Sequence, residues 1–243
     1  MRAIRFMLAA CAASFTFAVA QAEVPAQERM VCPIGGQTFT HMGYAAYSTY
    51  GQRLDGKPFG STLFPLRIPV CPNGFVIYKG ADDFTDAEIA TLANYIETPE
   101  FRTLTEQHST YYRASRLARV GGEPAATQAW LMLSASWQVD EEAERFAAYQ
   151  SEFLTLAEEA LPVLPRTSPE WWVLQFRAAN AERQLGRFDA AAARLSGLPI
   201  DELAAVQLNE GQSVEDWREG FQGAVATLNG LIVAQDASVE PES

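Results

Sequence analysis

Lysine, histidine and cysteine are scarce in this 243-residue chain. Lysine occurs only as Lys57 and Lys79, histidine as His41 and His108, and cysteine as Cys11, Cys32 and Cys71. Two isolated histidines give a Ser–His or Cys–His nucleophile pair little to build on. Gly-x-Ser-x-Gly, His-Glu-x-x-His and Walker-type loops are all missing, so the local patterns of the common hydrolases and nucleotide enzymes are excluded. The neighbouring acids Asp82-Asp83, Glu141-Glu142 and Glu158-Glu159 read as solvated charge or helix-dipole partners rather than a buried acid–base pair. These absences speak against catalysis. The balance of 18 basic to 30 acidic residues excludes nucleic acid and anionic lipid as natural partners, because an acidic surface repels both. No apolar run reaches the ~20 residues that a spanning helix needs.

What is present begins with an export signal. Arg2 and Arg5 precede an uncharged stretch, Phe6 to Val19, and Ala20-Gln21-Ala22 supplies small residues for a signal peptidase. Cleavage is expected after Ala22, which makes residues 1–22 a signal peptide and places the protein in the periplasm or outside the cell. Leu8-Ala9-Ala10-Cys11 offers an alternative, lipidation at Cys11. Without Arg2 and Arg5, 16 basic residues face 30 acids, a formal charge of −14.

The remainder changes character near residue 83. Residues 23–83 are expected to form a small β module, with strands at 62–70 and 75–78 and turns at Gly35-Gly36, Asp55-Gly56 and Asn73-Gly74. Pro65 and Pro69 confine the first of these strands to a sheet edge. So few residues bury little core, and such a module needs a staple. From Thr85 the pattern is helical, and Thr85-Asp-Ala-Glu88 matches a capping box. Helices are expected at about 85–98, 100–120, 124–138, 141–161, 168–184, 188–195 and 214–234. Residues 84–235 thus make a helical-repeat-like domain, and the acidic tail 236–243 is expected to be disordered.

Two features are more specific. Ala178 to Leu195 reads like the middle of a tetratricopeptide repeat, with Leu185-Gly186-Arg187-Phe188 as the turn between two helices and small alanines on the second. A degenerate second copy fits around 100–138. Cys32-Pro33-Ile34-Gly35-Gly36 and Cys71-Pro72-Asn73-Gly74-Phe75 share the Cys-Pro and glycine of a zinc knuckle. With these motifs the chain resembles a bacterial family of uncharacterised proteins that carry two N-terminal zinc-ribbon-type Cys-Pro-x-Cys-Gly knuckles and a tetratricopeptide-like helical remainder. The resemblance covers most of 30–200. It implies an α+β fold, in which a small N-terminal, degenerate zinc-ribbon-like β module packs on a mainly helical body, and it implies a four-cysteine zinc site. Only Cys32 and Cys71 match that ligand pattern, so zinc does not carry over as a cofactor.

Paired knuckles bring two thiols to one point, and in an oxidising compartment facing thiols form a disulfide. A Cys32–Cys71 bond closes a loop of about 40 residues and stabilises by roughly 4 kcal/mol on the chain-entropy model. A metal held by Cys32, Cys71 and His41, or a pair of free thiols, are the alternatives. A redox-active pair is expected close in sequence, as in Cys-x-x-Cys, and these two are distant. Tyr44, Tyr47 and Tyr50 precede Arg53; Tyr47 and Arg53 line a ligand groove, or the tyrosines cover the weak β core. In Tyr111-Tyr112 and Trp171-Trp172 one ring of each pair faces inward; Tyr112 and Trp172 are the candidate surface anchors for a partner. The expected function is a non-catalytic interaction or scaffold protein that takes a protein or peptide partner on its helical repeats. The alternative is a periplasmic thiol- or metal-handling protein that uses Cys32 and Cys71. The residues carry no information on oligomeric state.

Overall fold

The computed structural model describes residues 23–240. The segment expected to be a signal peptide, 1–22 with Cys11, and residues 241–243 lie outside the described residues. The fold is α+β, a small two-sheet β part on a helical body. Two antiparallel ribbons come first: β1 (Val24–Val31) with β2 (Thr38–Ala46), then β3 (Thr49–Gln52) with β4 (Pro58–Gly60). In the first, Val31 pairs with Thr38 and Val24 with Ala46. Its opposed pair Met30 and Phe39 leans on the core, while most other strand side chains face solvent.

The strands expected at 62–70 and 75–78 do not form. A single bridge, Val70 to Val76, is all that pairs there. Pro65 and Pro69 remove two ladder donors, and the apolar side chains of 75–77 go into the common core instead: Phe75 and Val76 are fully buried and Ile77 nearly so. The ribbons that do form went unforeseen because β1 contains a proline and a run of three consecutive polar residues, Gln27-Glu28-Arg29, which hides the alternation that marks a strand.

Eight helices follow: α1 (Asp86–Ile96), α2 (Pro99–Gln107), α3 (Thr110–Gly121), α4 (Ala125–Trp137), α5 (Ala143–Ala160), α6 (Pro169–Gln184), α7 (Phe188–Ser196) and α8 (Val214–Val233). Their starts follow from capping chemistry. The Thr85–Glu88 box opens α1, with both reciprocal bonds made. Thr98 and Ser168 cap α2 and α6, each followed by a proline in the first turn, where its missing N–H costs nothing. Gly122, at φ 82°, ends α3. The long helix expected over 100–120 is split. His108 is extended (φ −124°, ψ 154°), its Nδ1 lies 3.0 Å from the Tyr149 hydroxyl, and that hydroxyl also accepts the Ser109 N–H. A tertiary partner on α5 thus satisfies the backbone that a continuous helix would have used.

Neighbouring helices pack in sequence, α3 on α4, α4 on α5, α5 on α6 and α6 on α7. Fully buried alanines line these contacts, among them Ala114, Ala118, Ala129, Ala135, Ala157, Ala178 and Ala191. Small side chains let the backbones approach closely. Between α6 and α7, Gly186 at φ 70° makes the reversal, and the Arg187 N–H reaches back to Glu182 O at 2.8 Å. Cys32, Ile34, Cys71 and Phe75 belong to the same buried cluster as the helical residues, so the β part and the body share one core. No described helix is long and apolar enough to cross a membrane.

Candidate functional site

The connection of the second ribbon is the five-residue turn Arg53-Leu54-Asp55-Gly56-Lys57. Arg53 N–H donates to Lys57 O and Gly56 N–H to Arg53 O, both at 2.9 Å. Asp55 Oδ1 accepts the Lys57 N–H at 3.0 Å, an Asx bond that holds the turn shut. Gly56 has φ 91°, and a Cβ there would stand 3.1 Å from the Arg177 guanidinium. Glycine is therefore required twice over, by backbone conformation and by space.

This turn inserts a charged tip between the helices. Arg53 grips Asp55 bidentately, Nε to Oδ1 at 3.1 Å and Nη2 to Oδ2 at 2.6 Å. Its Nη1 reaches Asp140, just beyond α4, at 2.7 Å. Lys57 Nζ meets the same Asp140 oxygen at 2.6 Å and Trp137 O at 3.2 Å. Burial alone would lower the Arg53 pKa, but the bonds and charges of Asp55 and Asp140 hold it above its ordinary value. Burial would likewise raise Asp140, and Lys57 and Arg53 outweigh it, so its carboxyl sits below the usual range.

On α6, Arg177, Asn180 and Arg183 recur every three residues and are all buried. Arg177 donates to Leu54 O in the inserted turn and has no carboxylate within salt-bridge distance among the described residues; desolvation pushes its pKa down to about 10. Arg183 is fully buried. Its Nε donates to Asn180 Oδ1 at 3.0 Å, and its Nη1 donates to Asp236 O at 2.6 Å and Ser238 O at 3.0 Å. Burial lowers its pKa as well. The polar row continues across the helices: Gln150 Nε2 on α5 donates to Ser136 Oγ on α4 at 3.1 Å and to Gln184 Oε1 on α6 at 3.4 Å. Within this row Asn180 Nδ2, Arg183 Nη2, Gln150 Oε1 and Gln184 Nε2 are buried with no hydrogen-bond partner among the described residues. Unpaired buried polar groups, here three donors and one acceptor, are costly, about 1–3 kcal/mol each, so a cluster of them marks a place where a partner belongs.

Two cavities flank the inserted turn. One, of about 450 Å³, is lined by Lys57, Asp140, Trp137, Tyr44, Phe64 and Arg67. The other, of about 420 Å³, lies among Arg53, Arg177, Phe176, Trp217 and Phe221. The site is thus a seam of guanidinium and amide donors walled by aromatic rings. It offers charge and hydrogen bonds.

The residues singled out from sequence are distributed as follows. Cys32 and Cys71 are buried with their sulfurs 2.11 Å apart, at disulfide distance. Asn73 fastens the two knuckle turns together, Nδ2 donating to Ile34 O at 3.0 Å and Oδ1 accepting Phe75 N–H at 3.1 Å. His41 lies on β2 opposite Glu28, and among the described residues no three His, Cys, Asp or Glu side chains converge as a metal site would require. Arg53 joins the site, but as a buried anchor rather than the rim of an open groove. Tyr47 stays half-exposed, edge-on to Phe64. Tyr112 and Trp172 are corrections: neither is a surface anchor. Tyr112 is 6% exposed, in a three-ring cluster with His108 and Tyr149, and Trp172 is 0% exposed, packed on Phe221 with its Nε1 bonded to Arg166 O at 2.7 Å. Apolar area and a satisfied polar tip draw both rings inward. Residues 236–240 of the tail lie against the body: Arg183 donates to the Asp236 and Ser238 carbonyls, and Arg53 lies 3.4 Å from the Glu240 carboxylate. Sequence reading missed Asp55, Asp140, Arg177 and Arg183. The three-residue spacing of Arg177, Asn180 and Arg183 among alanines was the available signal.

Comparison with protein-family models, curated proteins and solved structures finds no match.

Proposed function

We propose that this chain is an exported, non-catalytic interaction protein of the periplasm whose helical hairpins form a tetratricopeptide-like scaffold for an extended peptide. One observation carries the reading. The buried face of α4, α5 and α6 holds a row of arginine and amide donors, some of them unpaired, and this row receives main-chain carbonyls from elsewhere in the chain. Donors in such a row recognise backbone carbonyls and carboxylates, the groups an extended peptide offers. The close helix reversal at Gly186 and the alanine-lined contacts favour the repeat-like reading. The export signal and the oxidising compartment it implies suit a Cys32–Cys71 staple.

An array of ten-residue peptides of varied charge, probed with the full chain and with a chain ending at Ala234, tests this. Acidic peptides should be retained over neutral and basic ones, less strongly in high salt. Arg183→Gln should lose them while keeping the helical circular dichroism of the parent. Retention of no peptide by either chain would overturn the reading.

A further inference from the structure

The groove is already occupied. Segment 235–240 leaves the end of α8 at Gln235, which has φ 53°, and runs back over the buried face of α6. Asp236 O and Ser238 O both accept from Arg183 Nη1. Val239 packs against the core, and the Glu240 carboxylate lies on Arg53. Asp236 bends the segment locally by accepting the Ser238 N–H at 2.8 Å. Seen from the groove, the segment shows what it takes: two backbone carbonyls, then a small aliphatic side chain, then a carboxylate.

The fit of the described residues is incomplete. Among them, Arg183 Nη2 and Asn180 Nδ2 have no partner although both side chains are fully buried. Glu240 stays largely exposed and makes the longest of the Arg53 ion pairs, 3.4 Å against 2.6 Å to Asp55. A ligand with one more acceptor near Arg183 would satisfy donors that residues 235–240 leave bare, and it would be held more tightly.

We propose that segment Gln235–Glu240 is a tethered occupant of the peptide groove, and that the partner is an extended acidic peptide segment of another protein, which displaces it. This rests on the groove reading above. A covalently attached segment acts at an effective concentration on the order of millimolar. If its intrinsic dissociation constant is about 100 μM, it lowers the apparent affinity of a competitor on the order of tenfold. The partner must supply the same pattern with a better complement of acceptors. The tail thus sets a threshold that neutral or poorly matched peptides do not pass.

The probe is a fluorescent peptide with the sequence of Ala234–Glu240, blocked at both ends, followed by anisotropy. The chain ending at Ala234 should bind it at least tenfold more tightly than the full chain, and Arg183→Gln in the shortened chain should abolish that binding. The full chain carrying Val239→Ser and Glu240→Lys should fall between the two. A shortened chain that keeps its circular dichroism and melting temperature yet binds no better than the full chain would overturn the proposal. Where the shortened chain does not fold, the full-length double variant decides, and no gain in its binding overturns the proposal equally. The two readings fail separately. Equal capture of array peptides by the full and shortened chains sinks only the tether, whereas capture by neither sinks the groove itself.

Discussion

Cys71–Phe75 and Arg53–Lys57 are the same turn built twice. In each, the first residue donates its N–H to the carbonyl of the fifth, at 2.8 and 2.9 Å, and the fourth donates to the first at 2.9 Å. The third residue is Asn73 or Asp55, whose side chain accepts the N–H of the fifth. The fourth is glycine, Gly74 at φ 86° and Gly56 at φ 91°. They differ at the first position. Cys71 clamps its turn to the tip of the first ribbon through Cys32, whereas Arg53 clamps the tip of the second ribbon to the helices through Asp140.

The difference explains how a β part with almost no core of its own keeps its place. None of the residues in β1 to β4 is buried, while α6 alone buries eleven. Two-stranded ribbons are marginal in isolation. Each of these is therefore held at its tip, one by sulfur and one by charge, and what lies between the tips adds little.

The covalent clamp should matter most. Replacing Cys32 and Cys71 together by serine should cost about 4 kcal/mol on the chain-entropy model, measured by denaturant unfolding. The loss should also be local. Hydrogen exchange should rise across 24–46 and 70–77 and stay slow in α4 to α6. If every helix loosened equally, the idea of separately clamped ribbons would fail.

The ionic clamp comes next. Arg53→Ala leaves Asp55, only 1% exposed at its side chain, without its guanidinium, and breaking a buried pair in this way costs about 3 kcal/mol. Exchange should quicken in β3 and β4 and not in β1 and β2. The Arg53 and cysteine variants share no contacts, so their effects should add within ~0.5 kcal/mol. A large coupling would mean that the two turns are one unit.

Which parts of this were legible beforehand follows from sequence distance. The capping box at Thr85–Glu88 and the Ser168-Pro169 start are local devices, and local chemistry is written in adjacent letters. The meeting of Cys32 with Cys71 was foreseen as one of several outcomes because the two turns announce themselves by the same pattern. The Arg53–Asp140 pair joins residues 87 apart, and nothing near Asp140 distinguishes it from the solvated acids Glu141 and Glu142. Asp55-Gly56 was readable as a turn, but its likeness to Asn73-Gly74 becomes meaningful only once both backbones are seen. The burial of Tyr112 and Trp172 depended on which helix face met the body, and an adjacent aromatic pair leaves that choice open. The tail's contacts with two buried arginines, Arg53 and Arg183, were not readable, because composition does not reveal distant partners.

The smallest effect separates the two clamps by pH. Asp140 is the acceptor shared by Arg53 and Lys57, and despite its partial burial those cations hold its carboxyl below the ordinary value of 3.8. A depressed carboxyl pKa contributes stability that is fully present above the unfolded value and is lost as pH falls through the folded one. The ionic clamp should therefore hold unchanged down to about pH 5 and weaken progressively below about pH 4, while the Cys32–Cys71 clamp feels no such change. Asp140→Asn should remove about 2 kcal/mol at pH 7, as expected for charge-assisted hydrogen bonds, and flatten the acid limb of the stability curve. Exchange in the parent chain should then quicken in β3 and β4 progressively as pH falls below about 4, with β1 and β2 still protected. An acid limb unchanged in Asp140→Asn would show that this carboxylate is not what fastens the second ribbon.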